Sequence, residues 1–276
     1  MSRLIQIMTQ GSKFDGEFKW QAAGMSYLII NDNHEYAIVD GGQYLEDIEE
    51  LYRLMRDDCG KDVVTVKYWF ITHPHGDHFW ALYNMAQSGE YMQKIKVEKL
   101  LFSIPEKFER CAKELAQLNS LPGILGAEFI EPSGDDVYEF GDLTFEVYLT
   151  YKDIGNPSDP NELSMLFSVK GKNKKAMFVG DAYAAGCASA VRRLKEEGRL
   201  DALKSDIIQI AHHGLNGGDL DFYYYVGAYI AMVPISKSGY LAINEPWHRW
   251  ATPNRFAQDH ALTVIYAFEG NFAVEI

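Results

Sequence analysis

The residues most able to do chemistry sit in one short stretch, Thr72-His73-Pro74-His75-Gly76-Asp77-His78, at the end of the apolar run Val66 to Thr72 and just before a helical pattern. It holds four candidate metal ligands, His73, His75, Asp77 and His78. In an extended loop successive side chains alternate, so His73 and His75 project to one side, while Asp77 and His78 begin a new turn at the helix entrance. Two pairs of ligands can therefore face two adjacent metal positions. Imidazole and carboxylate suit zinc or iron, and two ions about 3.5–4 Å apart can hold a hydroxide nucleophile between them.

Such a loop needs strands to carry it. Strand-like runs occur at Leu4 to Met8, Ser26 to Asn31 and Tyr36 to Asp40, and again at Val137 to Phe140, Leu143 to Thr150, Ser164 to Val169, Ala176 to Val179, Ile207 to Ala211 and Tyr229 to Ile235. Leu45 to Met55 places Leu45, Ile48, Leu51, Tyr52 and Met55 on one helical face, and further helices are expected at Phe79 to Gln87, Glu106 to Leu118, Ala190 to Glu197 and Asp221 to Val226. The stretch around Pro122 reads as a pseudo-boundary, and Thr263 to Ile276 as a closing hairpin turned at Glu269-Gly270-Asn271. The expected fold class is α/β: the order suits a four-layer αββα sandwich of two mixed β-sheets with helices on the outer faces, and alternation alone also allows an ordinary parallel sheet. One domain over residues 1–276 is expected, with pseudo-halves of about 1–135 and 136–276.

The metal loop resembles the HxHxDH signature of the metallo-β-lactamase-fold hydrolases, and other stations of that family follow in order. Asp40-Gly41-Gly42 resembles the early aspartate-glycine station, which implies that Asp40 supports the loop without binding metal. Gly180-Asp181 resembles the station whose aspartate bridges both metals, and Ala211-His212-His213-Gly214 resembles the late histidine station. Adjacent residues at a strand end point to opposite sides, so one of the two histidines is the expected ligand. His213 is preferred for that role, with His212 as a catalytic partner facing the substrate.

Most members of the family supply a further histidine between the first loop and the bridging aspartate, but none lies between His78 and His212 here. Asn161-Glu162-Leu163-Ser164 stands there instead and resembles the Asn-x-x-Ser station of the competence-associated branch, which makes Asn161 and Ser164 candidate substrate contacts. His248, in the run Asn244 to Trp250, resembles a late segment of the same branch and is a third.

The resemblance implies a metal-dependent hydrolase using a metal-bound hydroxide, most readily on a small phosphodiester or related ester, with Asp77 as ligand and proton relay. The alternatives are a lactone, lactam or thioester acyl hydrolase, or a non-catalytic metal-binding sensor module without its first metal. Two divalent ions are expected as cofactors, zinc first, with iron or manganese as substitutes. The chain has 276 residues, with 26 Lys and Arg against 39 Asp and Glu, a formal charge of −13 that repels phosphate backbones. A small-molecule ester or phosphoester is thus the expected partner, not bulk nucleic acid. Three scattered cysteines argue against a disulfide framework, and no run approaches the ~20 apolar residues of a membrane span. A cytoplasmic protein with no membrane partner is expected.

Overall fold

In the computed structural model of the chain, which describes residues 1–16, 24–243 and 252–276, strands β2 (Ser26–Ile30) and β3 (Tyr36–Asp40) are buried at every position. Continuous apolar runs of this kind belong to strands covered on both faces. Tyr27, Ile29, Ala37 and Val39 face one core, whereas Leu28, Ile30, Tyr36 and Ile38 face another. The two-residue period of a strand divides them.

The other strands are β1 (Arg3–Gln6), β4 (Val64–Phe70), β5 (Ile95–Leu101), β6 (Glu128–Ile130), β7 (Val137–Phe140), β8 (Leu143–Leu149), β9 (Leu166–Lys170), β10 (Lys175–Phe178), β11 (Ile207–Gln209), β12 (Ile230–Val233), β13 (Thr263–Tyr266) and β14 (Phe272–Glu275). They form two seven-stranded sheets, ordered β14-β1-β2-β3-β4-β5-β6 and β13-β12-β11-β10-β9-β8-β7. Each sheet is mixed. In the first, β14 through β3 pair antiparallel and β3 through β6 parallel; in the second, β7 through β10 pair antiparallel and β10 through β13 parallel.

Helices α1 (Leu45–Cys59), α2 (Gly76–Ser88) and α3 (Ala112–Leu125) cover the outer face of the first sheet through Ile48, Leu51, Met55, Leu82, Met85, Leu115 and Leu118. Helices α4 (Ala184–Glu196), α5 (Leu220–Val226), α6 (Lys237–Ile243) and α7 (Thr252–His260) cover the second through Cys187, Leu194, Phe222, Ile243 and Ala257. Between the sheets Phe167 stacks on Phe70 at 5.0 Å and on Phe178 at 5.2 Å, and Tyr27 meets Phe178 edge-on at 5.2 Å. The layers are thus helix, sheet, sheet, helix, as the αββα expectation has it.

Two local expectations are corrected. Thr263 to Ile276 is not a hairpin: β13 pairs with β12 in the second sheet, while β14 crosses over and pairs with β1 in the first. Gly270, at φ 129°, turns the chain out of one sheet toward the other. Helix α3 runs through Pro122 to a left-handed Gly126, and the chain passes from the first sheet to the second after β6, between residues 130 and 137. Helix α4 begins at Ala184, ahead of the expected Ala190, because Ala184-Ala185-Gly186 shows little amphipathic pattern. All three cysteines are free, and among the described residues no helix is long and apolar enough to cross a membrane.

Candidate metal centre

The centre gathers at the carboxyl ends of parallel strands from both sheets, where open α/β sheets place their ligands. Strand β3 delivers Asp40, held at φ 61°, and its fully buried carboxylate organises the metal loop. Asp40 Oδ1 accepts the Thr72 backbone N–H at 2.7 Å, and Oδ2 accepts the Thr72 hydroxyl at 3.0 Å and His78 Nδ1–H at 2.7 Å. The indole N–H of Trp69 donates to the Asp40 carbonyl. With Nδ1 as donor, His78 directs the lone pair of Nε2 into the centre. Helix α2 starts at Gly76, which leaves Asp77 and His78 in its first turn. A Cβ on Gly76 would lie 2.3 Å from the Trp80 ring, so glycine lets Trp80 pack across the loop.

The second sheet supplies the rest. After β10 the chain turns at Gly180, φ 54°, where a Cβ would come within 2.9 Å of Thr72 and 3.1 Å of the Ser164 hydroxyl. That contact between sheets brings Asp181 opposite the histidine loop, and Asp181 N–H donates to Ser164 Oγ at 3.1 Å. Gln209 ties the neighbouring strand ends together: its Oε1 accepts Val179 N–H at 2.9 Å and its Nε2 donates to Gly180 and Ile210 carbonyls at 2.9 and 2.7 Å. Beyond β11, His212 and His213 are both left-handed, at φ 48° and 54°. Their Nδ1 atoms lie 2.6 Å from the carbonyls of Asn216 and Pro234, which fixes Nδ1 as the protonated nitrogen and leaves both Nε2 atoms free to face the centre.

Asp181 Oδ2 is the common neighbour, 3.3 Å from His78 Nε2, 3.5 Å from His213 Nε2, 3.6 Å from His73 Nε2 and 3.8 Å from His212 Nε2. Asp77 Oδ2 lies 3.0 Å from His213 Nε2 and 3.7 Å from His78 Nε2. Two groups have ligand atoms close enough to hold a metal ion each: His73, His75 and Asp181, and Asp77, His78 and His213. The donor set fits: His78 Nε2, His213 Nε2 and Asp181 Oδ1 are buried without a hydrogen-bond partner, a costly state that a cation relieves. His75, Asp77 and His212 keep partial exposure and mark the open side, whereas His73, His78, Asp181 and His213 are buried.

Electrostatics agree with a cation site. Burial opposes ionisation of Asp181 and Asp77, yet the surrounding imidazoles, His78 first, hold both carboxyls below their usual range. Burial also opposes charge on His213, but Asp181 and Asp77 push it up to about 10. His78 is raised against burial by Asp181, Asp40 and Asp77. Burial lowers His73, with His78 adding to the effect, and lowers His212. Acidic oxygens thus draw positive charge to the groove between the two sheets.

The structure brings His73, His75, Asp77, His78, Asp181 and His213 together and leaves Asp40 behind His78, with its carboxylate on His78 Nδ1 and Thr72. The expected opposite orientation of His212 and His213 is corrected: their left-handed backbone breaks strand alternation, so both rings turn toward Asp181. Ser164 is corrected too, because its buried hydroxyl is engaged by Asp181 N–H beneath the centre and offers no surface to a substrate. Asn161 Nδ2 donates to the Tyr183 hydroxyl at 2.8 Å, and its buried Oδ1 has no partner. His248 lies outside the described residues. Thr72, Gln209 and Tyr183 are further parts of the centre; only Thr72, adjoining the histidine loop, carried a positional signal in the sequence.

The family model described as the metallo-beta-lactamase superfamily matches residues 21–222. No curated protein sequence matches the chain. Solved structures share the fold at low identity. The metallo-beta-lactamase fold protein YhfI from Bacillus subtilis aligns with TM-score 0.58 and 12% identity over 99% of this chain and 100% of its own. Zinc-bound PqqB from Methylobacterium extorquens aligns with TM-score 0.59 and 8% identity over 100% of both chains. A diphosphatase from the PhnP family aligns with TM-score 0.52 and 13% identity over 99% of this chain and 98% of its own.

Proposed function

Since the chain belongs to the metallo-beta-lactamase superfamily, whose members are mostly metal-dependent hydrolases, we propose that it hydrolyses a small phosphodiester or related ester at a dinuclear metal centre. One observation carries the reading: two three-residue ligand groups lie side by side, with the buried Asp181 carboxylate among the rings of both. His73, His75 and Asp181 would hold one ion, and Asp77, His78 and His213 the other, zinc before iron or manganese. Bound divalent ions supply an activated water and stabilise negative charge on the oxygens of the reacting group.

The protein's own groups do the rest. Asp77, partly exposed on the open side, holds a water by its carboxylate and takes up its proton. His212, whose Nδ1 is committed to the Asn216 carbonyl, presents Nε2 toward Asp181 and the substrate side. The first turn of α2 adds the positive end of a helix dipole, which favours an anionic substrate. A net charge of −13 opposes a long polyanion, which keeps the substrate small. The likeness to a diphosphatase is consistent with phosphoester chemistry on this fold. The Asn161 to Ser164 run and the His212-His213-Gly214 turn support a place in the competence-associated branch.

Elemental analysis of tag-free protein purified without added metal tests the centre, and chromogenic phosphodiester, lactone and thioester panels test the substrate. Near two equivalents of metal, with phosphodiester turnover lost in Asp77→Ala, is the expected result. One equivalent or fewer, not restored by added metal, overturns the dinuclear centre. Turnover confined to lactones or thioesters overturns the phosphodiester assignment.

A further inference from the structure

The turn bearing His212 and His213 is unusual in having two consecutive non-glycine residues in the left-handed region, φ 48° and 54°. Such residues persist only where their surroundings over-determine them. A buried polar pair from two other helices does this here. Asn254, fully buried on α7, donates from Nδ2 to the Ala211 carbonyl at 2.9 Å and to the Leu215 carbonyl at 2.6 Å, closing the turn at both ends. Its Oδ1 accepts the Tyr223 hydroxyl proton at 2.7 Å, and the Tyr223 hydroxyl oxygen, on α5, accepts Ala211 N–H at 3.1 Å. Every polar atom of the Asn254 side chain is thus spent on the ends of one turn or on the tyrosine that shares it.

The neighbouring backbone is shaped to admit the pair. A Cβ on Gly218, φ 68°, would lie 2.4 Å from the Tyr223 ring, so the ring reaches Ala211 only past a glycine. Gln258 Nε2, one turn along α7, donates to the Asn254 carbonyl at 3.1 Å. Neither Asn254 nor Tyr223 is among the ligand groups.

We infer that Asn254 and Tyr223 are positioning residues that hold His213 Nε2 on the Asp77 and His78 metal site by clamping the left-handed turn between Ala211 and Leu215. The inference rests on the metal-centre reading above. It differs from a plain packing role in its selectivity: loosening the turn moves His213 but leaves His73, His75 and Asp181, which stand on other strand ends, in place. Asn254→Asp replaces the donor facing two carbonyls by an oxygen, and Tyr223→Phe, the milder change, removes only the bridging hydroxyl.

The test is zinc titration against a chromophoric chelator, with hydrogen–deuterium exchange of the metal-free proteins. Outer-shell partners of this kind are worth about 10–100-fold in metal affinity. In Asn254→Asp one of the two equivalents of zinc, the one lost in His213→Ala, should bind about 10–100-fold more weakly while the other is unchanged, and Tyr223→Phe should shift it the same way by less. Exchange should quicken at residues 211–215 and stay unchanged in β11. In a His213→Ala background Asn254→Asp should cost no further zinc affinity. Wild-type affinity for both equivalents in both variants, or equal loss of both with faster exchange throughout the second sheet, overturns the inference. Zinc binding absent from the wild-type protein overturns the metal-centre reading and this one together, whereas two equivalents bound with the same affinities in wild type and variants overturn only this one.

Discussion

Asp40→Asn is the sharpest perturbation of the centre, because it keeps the side chain's shape and replaces no ligand. In the native protein Asp40 Oδ2 receives His78 Nδ1–H at 2.7 Å and the Thr72 hydroxyl at 3.0 Å, while Oδ1 receives Thr72 N–H at 2.7 Å. An asparagine keeps its oxygen toward Thr72 N–H, since the backbone donor cannot be reversed. Its amide NH2 then faces the Thr72 hydroxyl, which can accept, and His78 Nδ1, which must also accept. The imidazole proton is forced onto Nε2, the nitrogen directed at the centre, and a protonated ring nitrogen cannot bind metal.

A hydrogen bond to a charged group in such a site contributes about 1.5–3 kcal/mol. Losing a hydrogen-bond partner of a ligating imidazole weakens metal binding about 10–100-fold, which is about 1.4–2.8 kcal/mol at 1.4 kcal/mol per decade and falls in the same range. The expected result is therefore a 10–100-fold weaker site at Asp77, His78 and His213, with the site at His73, His75 and Asp181 unaffected. Chelator competition reads the affinities, and ring 15N shifts of His78 in the metal-free protein read the tautomer. Asp40→Ala, by contrast, strands two Thr72 donors as well and should lower unfolding free energy by about 3–5 kcal/mol. Asp40→Asn binding both equivalents with native affinity, or weakened binding with the proton still on Nδ1, would refute the reasoning.

Phe167, stacked between Phe70 of the first sheet and Phe178 of the second, should cost about 3–5 kcal/mol when replaced by alanine. If residues 1–276 form one folding unit, as we propose, Phe167→Ala should still unfold in urea as a single transition by fluorescence and by circular dichroism; separate transitions would show two units. Asp58 offers a pH test. Burial alone would raise its carboxyl, but hydrogen bonds from His34 at 2.8 Å and Tyr36 at 2.9 Å and the Arg3 charge hold it below its usual range. A depressed folded value means that the stabilisation is full above the unfolded value of about 4 and is lost as pH falls through the folded one. Urea unfolding across that range should show wild type more stable than Asp58→Asn at neutral pH and the gap closing in acid; a gap independent of pH would contradict the assignment.

The parts of the centre legible in the sequence are those whose geometry is local. His73, His75, Asp77 and His78 belong to one strand-loop-helix, so alternation and the helix entrance already aim them. Asp181 and His213 reached the site only through a family resemblance, because nothing near Gly180 or Ala211 says that those two strand ends face the histidine loop. The same limit explains β14: Glu269-Gly270-Asn271 is a fair hairpin turn locally, yet the open edges of β12 and β1 took one strand each. It also explains why His212 and His213 were expected on opposite sides. Strand alternation holds only while φ stays extended, and left-handed residues at Asp40, His212 and His213 carry no glycine to announce them. Their conformations are set by Thr72, Asn254 and Tyr223, uncharged partners that pattern alone reads as surface or core. The identity of the first four ligands is thus written in short spacing, whereas the arrival of Asp181 and His213 and the aim of the rings are written in contacts between elements distant in the chain, which is where substitutions that spare every ligand should still disturb the metal.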